Sequence, residues 1–273
     1  MPFNEQILVV INPTKAEQVA LDKGIRISET LGTSITALVR KKYAVPESLT
    51  ELERRLKVAA QKGITVSVEV SEERDWFRAL MIALEKKEYG LVIKEPHAPS
   101  LADHVFLPED WRLLRNCKQA ILLVRADNSW IGQPVLICVN ADSADSEHQI
   151  LNDRILREGK FITEAADAPM HLVSAFPSQM QDGDKSSQVP ALLELQYRAG
   201  CKRLLGESVL PENQIHVDQG PPELLIPQVV EKIDAHLVVM GTVARTGLKG
   251  VLLGNTAEQV LRHLRTDVLV LSQ

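Results

Sequence analysis

The chain has 273 residues and a formal net charge of −5, with 45% apolar, 25% charged and 4% aromatic residues. This composition is typical of a soluble globular protein, and the length suits two domains of roughly 100–150 residues each. The acidic balance argues against nucleic acid or an anionic membrane as a partner, and the scarcity of aromatic residues argues against a stacking platform for single-stranded nucleic acid.

The first half of the chain alternates short apolar runs with segments of helical periodicity. The runs have strand length and are rich in branched residues: Ile7–Ile11, Ile35–Val39, Ile64–Val70, Leu91–Ile93 and Ala120–Val124. Between the second and third runs, Leu49, Leu52 and Leu56 recur at three- and four-residue steps, which predicts a helix over Ser48–Gln61. This alternation predicts βαβ units and a mostly parallel sheet.

The second half repeats the pattern of the first. Its apolar runs are Val135–Val139, Met170–Ala175, Ile215–Val217, Leu237–Met240 and Val268–Leu271. The segment Ile7–Asn12 parallels Val135–Asn140, and each is followed by small or turn-forming residues and then a helix. A repeat of this length indicates domain duplication rather than a solenoid.

We therefore predict an α/β fold of two tandem, doubly wound, five-stranded parallel-sheet domains. The first domain covers residues 1–126 and the second covers 134–273, joined by the polar stretch Arg125–Pro134. The polar segment Gln179–Gln188 predicts a surface loop within the second domain.

A basic loop with several glycines follows the predicted strand Leu237–Met240. Ligands of an open parallel sheet bind beyond the carboxyl ends of its strands, and glycines let the backbone approach an anion closely. Asn255 and Thr256 would begin a helix with free N–H groups and a positive dipole end. The predicted phosphate-binding residues are Gly241, Arg245, Gly247, Lys249, Gly254, Asn255, Thr256 and, after the first strand of this half, Asn140. The structural alternative is a turn with a well-capped helix, because helix caps are far commoner than ligand sites.

This stretch resembles the signature of the universal stress protein family. Nucleotide-binding members carry Gly-x-x-Gly, nine residues, and then Gly-Ser or Gly-Thr. Here Gly241 and Gly254 match the outer positions, Ala244 replaces the second glycine, and Asn255 replaces the serine or threonine, with Thr256 next. The wider phrases are similar to those of the tandem, E-type members, and the resemblance extends over essentially the whole chain.

The resemblance implies an adenine nucleotide alpha hydrolase-like fold in each domain. It also implies that Ala120–Val124 and Val268–Leu271 pair within the chain, so that the two domains pack as an internal pseudo-dimer. Such pairing would cover two apolar edge strands, and the outer surface could support a homodimer. The ATP-binding members place an Asp after the first strand, where this chain has Asn12 and Asn140.

The first half departs further from the family pattern. No glycine follows Ile93, and the segment 94–110 ends in Glu109 and Asp110 at a predicted helix start, where two carboxylates would repel a phosphate. We therefore expect ATP or another phosphate-bearing ligand to bind only in the second domain, with Asn140 reaching the base or sugar.

Other polar groups give weaker signals. His216 and Asp218 alternate along a predicted strand and share one face, but nothing nearby supplies a nucleophile. No recognised ligand spacing for a metal appears in the acidic group that follows Asn140, so we expect a solvated loop there: Asp142, Asp145, Glu147 and His148.

Three functional hypotheses follow. The first is a non-enzymatic, cytoplasmic stress-response protein that requires no cofactor and binds a nucleotide or other phosphate-bearing ligand. The second is a ligand-free interaction scaffold. The third is a weak ATPase or autophosphorylating protein with Thr246 or Thr256 as acceptor. No catalytic residue is predicted, because no nucleophile elbow, zincin motif or Walker loop occurs. Three widely spaced cysteines and the lack of a secretory leader predict reduced thiols and the cytoplasm.

Overall fold

A computed structural model of the chain describes residues 6–96, 108–125, 127–142, 146–176, 189–242, 245–247, 250–252 and 255–272. The chain divides into two compact units, Met1–Asp127 (unit 1) and Asn128–Gln273 (unit 2). The predicted loop Gln179–Gln188 lies outside the described residues.

Unit 1 alternates strands and helices, as the sequence predicts. Its elements in chain order are β1 (Gln6–Ile11), α1 (Val19–Leu31), β2 (Ile35–Arg40), a 3-10 turn (Lys41–Tyr43), α2 (Pro46–Gln61), β3 (Val66–Ser71), α3 (Trp76–Lys86), β4 (Tyr89–Lys94), α4 (Pro108–Asn116) and β5 (Ala120–Leu123). The strands are parallel, in the order β3-β2-β1-β4-β5. The central strands β1 and β4 are almost wholly buried, because helices cover a parallel sheet on both faces.

Unit 2 repeats the arrangement. Its elements are β6 (Val135–Cys138), α5 (Ser146–Ala165), β7 (Met170–Phe176), α6 (Pro190–Leu205), a 3-10 turn (Glu212–Gln214), β8 (Ile215–Gln219), α7 (Pro222–Ile233), β9 (Leu237–Thr242), β10 (Arg245–Gly247), β11 (Gly250–Leu252), α8 (Asn255–His263) and β12 (Asp267–Ser272). Parallel strands follow the order β12-β9-β6-β7-β8, and β10 and β11 form an antiparallel hairpin.

The predicted α/β class is confirmed, and the differences from the predictions are local. Helix α2 begins at Pro46 rather than Ser48, because proline suits the first helical position, where its missing N–H costs no hydrogen bond. The β10–β11 hairpin lies where the sequence predicts a loop. Part of the predicted junction packs within unit 2, because the Trp130 indole N–H donates to Asp267 at 3.0 Å and the Gly132 amide donates to the Ala166 carbonyl at 2.9 Å.

The three cysteines are free and buried. Burial raises the pKa of Cys117 and of Cys201 to about 11, and it also raises the pKa of Cys138. All three are therefore protonated at neutral pH and are poor nucleophiles. Within the part of the chain that the structure describes, no helix has both the length and the apolar character needed to cross a membrane.

Candidate functional site

The strand ends of unit 2 are built around a close helix contact at Gly241. A Cβ atom at this position would lie 2.6 Å from the Leu151 side chain and 2.7 Å from Ile155, both on α5. Gly241 was predicted as part of a ligand loop. In the structure, glycine is required at this position because α5 packs closely onto β9, and any side chain would collide with the helix.

The segment that follows β6 has a firmly held backbone. The buried Asn152 side chain bonds both backbone groups of Asn140: its oxygen accepts from the Asn140 amide at 3.1 Å and its nitrogen donates to the Asn140 carbonyl at 2.8 Å. The Ser174 hydroxyl accepts from the Ala141 amide at 3.1 Å. A Cβ at Gly200 would lie 2.3 Å from the Ala141 carbonyl oxygen, so α6 also closes on this segment. The Asn140 side chain is left exposed on a fixed backbone.

Asn140 and Gly241 lie at the same edge of the sheet. The register pairs Ile137 with Val239, and its continuation places Val139 opposite Gly241. This edge is the carboxyl end of β6 and β9, where ligands of parallel sheets bind.

The other predicted site residues follow β9. In the hairpin, Arg245 pairs with Leu252 and Gly247 with Gly250, and α8 begins at Asn255. For Arg245, Gly247 and Asn255 the backbone alone is described, and Lys249 and Gly254 lie outside the described residues.

Helix α8 is nine residues long and well anchored. Its Val260 and Leu261 side chains are fully buried, and Ala257 is almost so. Glu258 pairs with Arg262 one turn later at 2.7 Å, while Thr256 in the first turn is exposed. The amino end of this helix therefore lies at the surface, and an inner face holds it in place.

The corresponding region of unit 1 contains a buried ion pair. Lys94, the last residue of β4, is 1% exposed, and its ammonium group donates to Asp110 of α4 at 2.6 Å and to the Glu95 carbonyl at 2.8 Å. The ammonium group also lies 4.4 Å from the centre of the Trp76 ring. Burial lowers the pKa of Lys94, and the nearby Asp110 carboxylate opposes that shift.

The structure changes the interpretation of Asp110. The sequence suggested a carboxylate at a helix start that would repel phosphate, but Asp110 is fully buried and paired with Lys94. The side chain of Glu109 lies outside the described part of the chain. One sequence signal indicates this pair. A lysine ends an apolar strand, and burial of its charge is costly in free energy unless an acidic partner lies beside it.

Glu95 stands in unit 1 where unit 2 has Gly241. Its carboxylate accepts from Lys15 at 2.6 Å and from the Ala20 amide in the first turn of α1 at 3.4 Å. After β1, the Asn12 side chain accepts from the Thr14 amide at 3.2 Å and thus closes a local turn. The strand ends of unit 1 are therefore bound to one another by its own side chains.

The remaining predicted polar groups take different positions. His216 contacts His171 rather than Asp218, whose carboxylate accepts from the adjacent Gln219 amide at 2.7 Å. In the predicted acidic group, Asp142 accepts from Gln196 at 3.3 Å. Asp145 and the side chain of Glu147 lie outside the described residues. Among the residues whose side chains are described, no group of three or more His, Cys, Asp or Glu is placed to hold a metal ion.

The fold defines a parallel-sheet α/β protein, and comparison with known proteins identifies its family. A family model described as the universal stress protein family matches residues 135–272. Universal stress protein E of Escherichia coli (strain K12) is 29% identical over 301 residues, which cover 99% of this chain and 95% of the relative. The universal stress protein E homolog of Haemophilus influenzae is 30% identical, with 97% of this chain and 96% of the relative covered. The chain belongs to the universal stress protein family.

A solved structure agrees with this assignment over the same length. A protein of unknown function from Pseudomonas aeruginosa PAO1 is 31% identical, with a TM-score of 0.84 and with 98% of this chain and 92% of that chain covered. The predicted resemblance to the family is thereby confirmed.

Proposed function

We propose that this protein is a non-enzymatic, cytoplasmic stress-response protein that binds a nucleotide or other phosphate-bearing small molecule in its C-terminal half. We further propose two tandem domains, residues 1–126 and 134–273, of adenine nucleotide alpha hydrolase-like fold, packed as an internal pseudo-dimer through their last strands. The observation that carries the ligand proposal is the position of α8. It begins directly after a glycine-containing hairpin that itself follows the carboxyl end of β9.

The amino end of α8 supplies the basic attraction for an anion. The first N–H groups of a helix have no partner within the helix, and the helix dipole places partial positive charge there. The buried inner face of α8 fixes the direction in which those groups point. A phosphate between the hairpin and Asn255–Thr256 would be bound mainly by backbone groups, which tolerate changes of side chain.

Side chains from the hairpin and from β6 would complete the site. Arg245 and Lys249 add positive charge, Gly247 and Gly254 allow close approach, and Asn140 extends toward the base or sugar from a backbone that is already fixed. An amide in place of an aspartate loses one acceptor toward ribose hydroxyls. The site should therefore recognise the phosphate more strongly than it recognises the ribose of ATP.

The first unit supports the restriction of the ligand to the second. In unit 1, Lys94 and Asp110 form a buried ion pair, and the Glu95 carboxylate accepts a hydrogen bond from the amino end of α1. Among the described residues at this edge of unit 1, Lys94, Glu95 and Asp110 therefore already have partners within the unit.

Calorimetric titration with ATP tests the proposal. The variant Arg245→Gln/Lys249→Gln should weaken binding by about a hundredfold or more, since charge-assisted bonds contribute about 1.5–3 kcal/mol each. The matched control Lys57→Gln/Arg203→Gln removes the same charge at exposed positions outside the site and should leave binding unchanged. When ATP binds, hydrogen exchange should slow at residues 245–260, whereas the exchange rates of β4 and α4 should not change.

A second function has one observation in its favour. Leu192 and Leu195 on one side of α6 are 61% and 63% exposed, which suits an interaction scaffold without a ligand. Absence of ATP binding at millimolar concentration, by titration and by native mass spectrometry, would reject the ligand proposal in favour of the scaffold. Phosphate release that Gly254→Trp abolishes would favour instead a weak ATPase or autophosphorylation at Thr246 or Thr256.

A further inference from the structure

Unit 2 contains a concave region away from the carboxyl ends of β6 and β9. A cavity of about 410 Å³ lies beside the edge strand β8, between α6 and α7. This volume is within the range of small-molecule sites. Strand β7 separates β8 from β6 in the sheet order, so the cavity is distinct from the proposed phosphate site. Both polar and apolar residues line it, among them Arg198, His216, Val217, Leu225, Val229 and Lys232.

A pair of histidines marks one wall of this region. His171 Nδ1 and His216 Nε2 are 3.0 Å apart, and their ring planes differ by 15°. One nitrogen must donate and the other accept, so this contact needs a single proton between the rings. If His216 donates from Nε2, its Nδ1 is free to take up a further proton without breaking the contact. If both rings were doubly protonated, the hydrogen bond would be lost.

The carboxylates in the wall of the cavity already have hydrogen-bond or ion-pair partners. Glu212 pairs with Lys202 and, at 3.5 Å, with Arg198. Asp218 accepts from the Gln219 amide at 2.7 Å. Lys232, in contrast, forms no ion pair within the part of the chain that the structure describes.

The electrostatics of His216 reflect this arrangement. Burial is the largest influence on the imidazole, followed by His171, Lys232 and Arg198, and together they lower the pKa of His216 to about 4. Glu194, Glu212 and Asp218 do not offset these positive groups at the ring. The cavity wall thus combines the Lys232 ammonium group, the His216 imidazole and the Arg198 guanidinium group, and of these Arg198 has carboxylate partners, Glu194 at 3.0 Å and Glu212 at 3.5 Å.

We propose that this cavity binds a small organic carboxylate, whose charged group lies between Lys232, Arg198 and a protonated His216. The apolar part of the ligand packs against Leu225 and Val229. The carboxylate remains ionised, and one proton passes from solvent to His216 Nδ1 as the anion binds. The apolar wall distinguishes this ligand class from inorganic phosphate, which would bury those side chains against a fully polar surface.

Calorimetric titration with butanoate at pH 5 and pH 7 tests this inference on the full chain. Binding should be about tenfold tighter at pH 5, because the anion restores the pKa of His216 toward its ordinary value near 6.5. Titration at pH 5 in buffers of different ionisation enthalpy should show a net uptake of less than one proton, because His216 gains a proton while the protonated part of the butanoic acid releases its own. Inorganic phosphate should bind at least about tenfold more weakly than butanoate.

Two variants and one control complete the experiment. Lys232→Gln, at an exposed position that should not disturb folding, is expected to weaken butanoate binding about tenfold. His216→Gln should abolish the pH dependence, with circular dichroism confirming that the chain is folded. Arg203→Gln, an exposed arginine of α6 that does not line the cavity, should change nothing. Absence of butanoate binding at tens of millimolar, equal binding of phosphate, or binding unaffected by Lys232→Gln would each overturn the proposal.

Discussion

The two units have different side chains at the same point of the same fold. In each unit the strand after the third helix ends beside the helix that follows, and the paired positions correspond: Lys94 and Asp110 in unit 1, Met240 and Ala257 in unit 2. All four side chains are buried. One unit thus fills this space with an ion pair and the other with apolar atoms. The fold therefore accepts either filling, and among the residues whose side chains are described, unit 2 has apolar Met240 and Ala257 where unit 1 has its ion pair.

The next position shows the same contrast. Glu95 projects toward Lys15 and α1, whereas Gly241 has no room for any side chain because α5 packs against it. Helix α5 thus covers β9 at Gly241, and the chain continues from the carboxyl end of β9 into the hairpin and α8. Among the described residues, unit 1 thus joins its strand ends by an ion pair, whereas in unit 2 a glycine at the same position allows a close helix contact.

The largest expected effect comes from breaking the ion pair on one side. Lys94→Met would leave the Asp110 carboxylate buried without its cation, and we expect unit 1 to lose about 3–5 kcal/mol of stability. Urea titration with hydrogen exchange of β1 and β4 peptides as the local readout measures this loss.

The double variant Lys94→Met/Asp110→Ala gives unit 1 the filling of unit 2. It should recover most of the loss, since an apolar replacement of a buried ion pair is often neutral or stabilising. Lys15→Met, which breaks the exposed pair with Glu95, should cost less than about 1 kcal/mol. If the double variant were as unstable as Lys94→Met, the ion pair would have a role that apolar packing cannot replace.

The ion pair also marks where prediction from sequence stops. Apolar strands and helical periodicity are local patterns, and they were sufficient for the α/β class and for most strand positions. The partner of Lys94 is 16 residues away in another element, so its identity depends on packing that no local pattern contains. The sequence shows a carboxylate at position 110, but it does not indicate that this side chain is buried.

The predicted ligand site stays a prediction, but the start of α8 at Asn255 followed from local signals, because helix caps are encoded by neighbouring residues. The role of Gly241 did not, since the Leu151 and Ile155 side chains that exclude a Cβ come from α5. The contact of His216 with His171 was also missed, because it depends on the register of β7 and β8.

A smaller effect is expected when a methyl group is added at the helix contact. Gly241→Ala should destabilise unit 2 by about 1–3 kcal/mol, because the new Cβ would lie 2.6 Å from Leu151. Thermal unfolding and hydrogen exchange of β9 measure the change. The corresponding Glu95→Ala in unit 1 removes only a partly exposed ion pair and should cost less than about 1 kcal/mol.

A double-mutant cycle identifies the cause of the Gly241→Ala loss. Leu151→Ala makes room for the new methyl group, so Gly241→Ala/Leu151→Ala should cost less than the sum of the single changes by about 0.5 kcal/mol or more. Strict additivity would show that Gly241 is required for a reason other than the packing of α5.

The smallest expected effect is a pH dependence confined to unit 2. The pKa of His171 is lowered by burial, and that of His216 is lowered to about 4. The unfolded chain, with ordinary values near 6.5, therefore binds more protons than the folded chain between these limits. Stability from this pair is complete above pH 6.5 and declines as the pH falls toward 4.

Hydrogen exchange of β7 and β8 peptides, corrected for the intrinsic pH dependence of exchange, should show this decline as a gradual loss of protection between pH 6.5 and 4. The variant His171→Gln/His216→Gln retains polar side chains that do not titrate, so its profile should be flat over the same range. Butanoate at saturating concentration should also flatten the wild-type profile above about pH 5, where the ligand is mostly ionised, because an anion beside His216 favours its charged form in the folded state. A decline of the same size in the double variant would assign the pH dependence to titratable groups other than these two histidines.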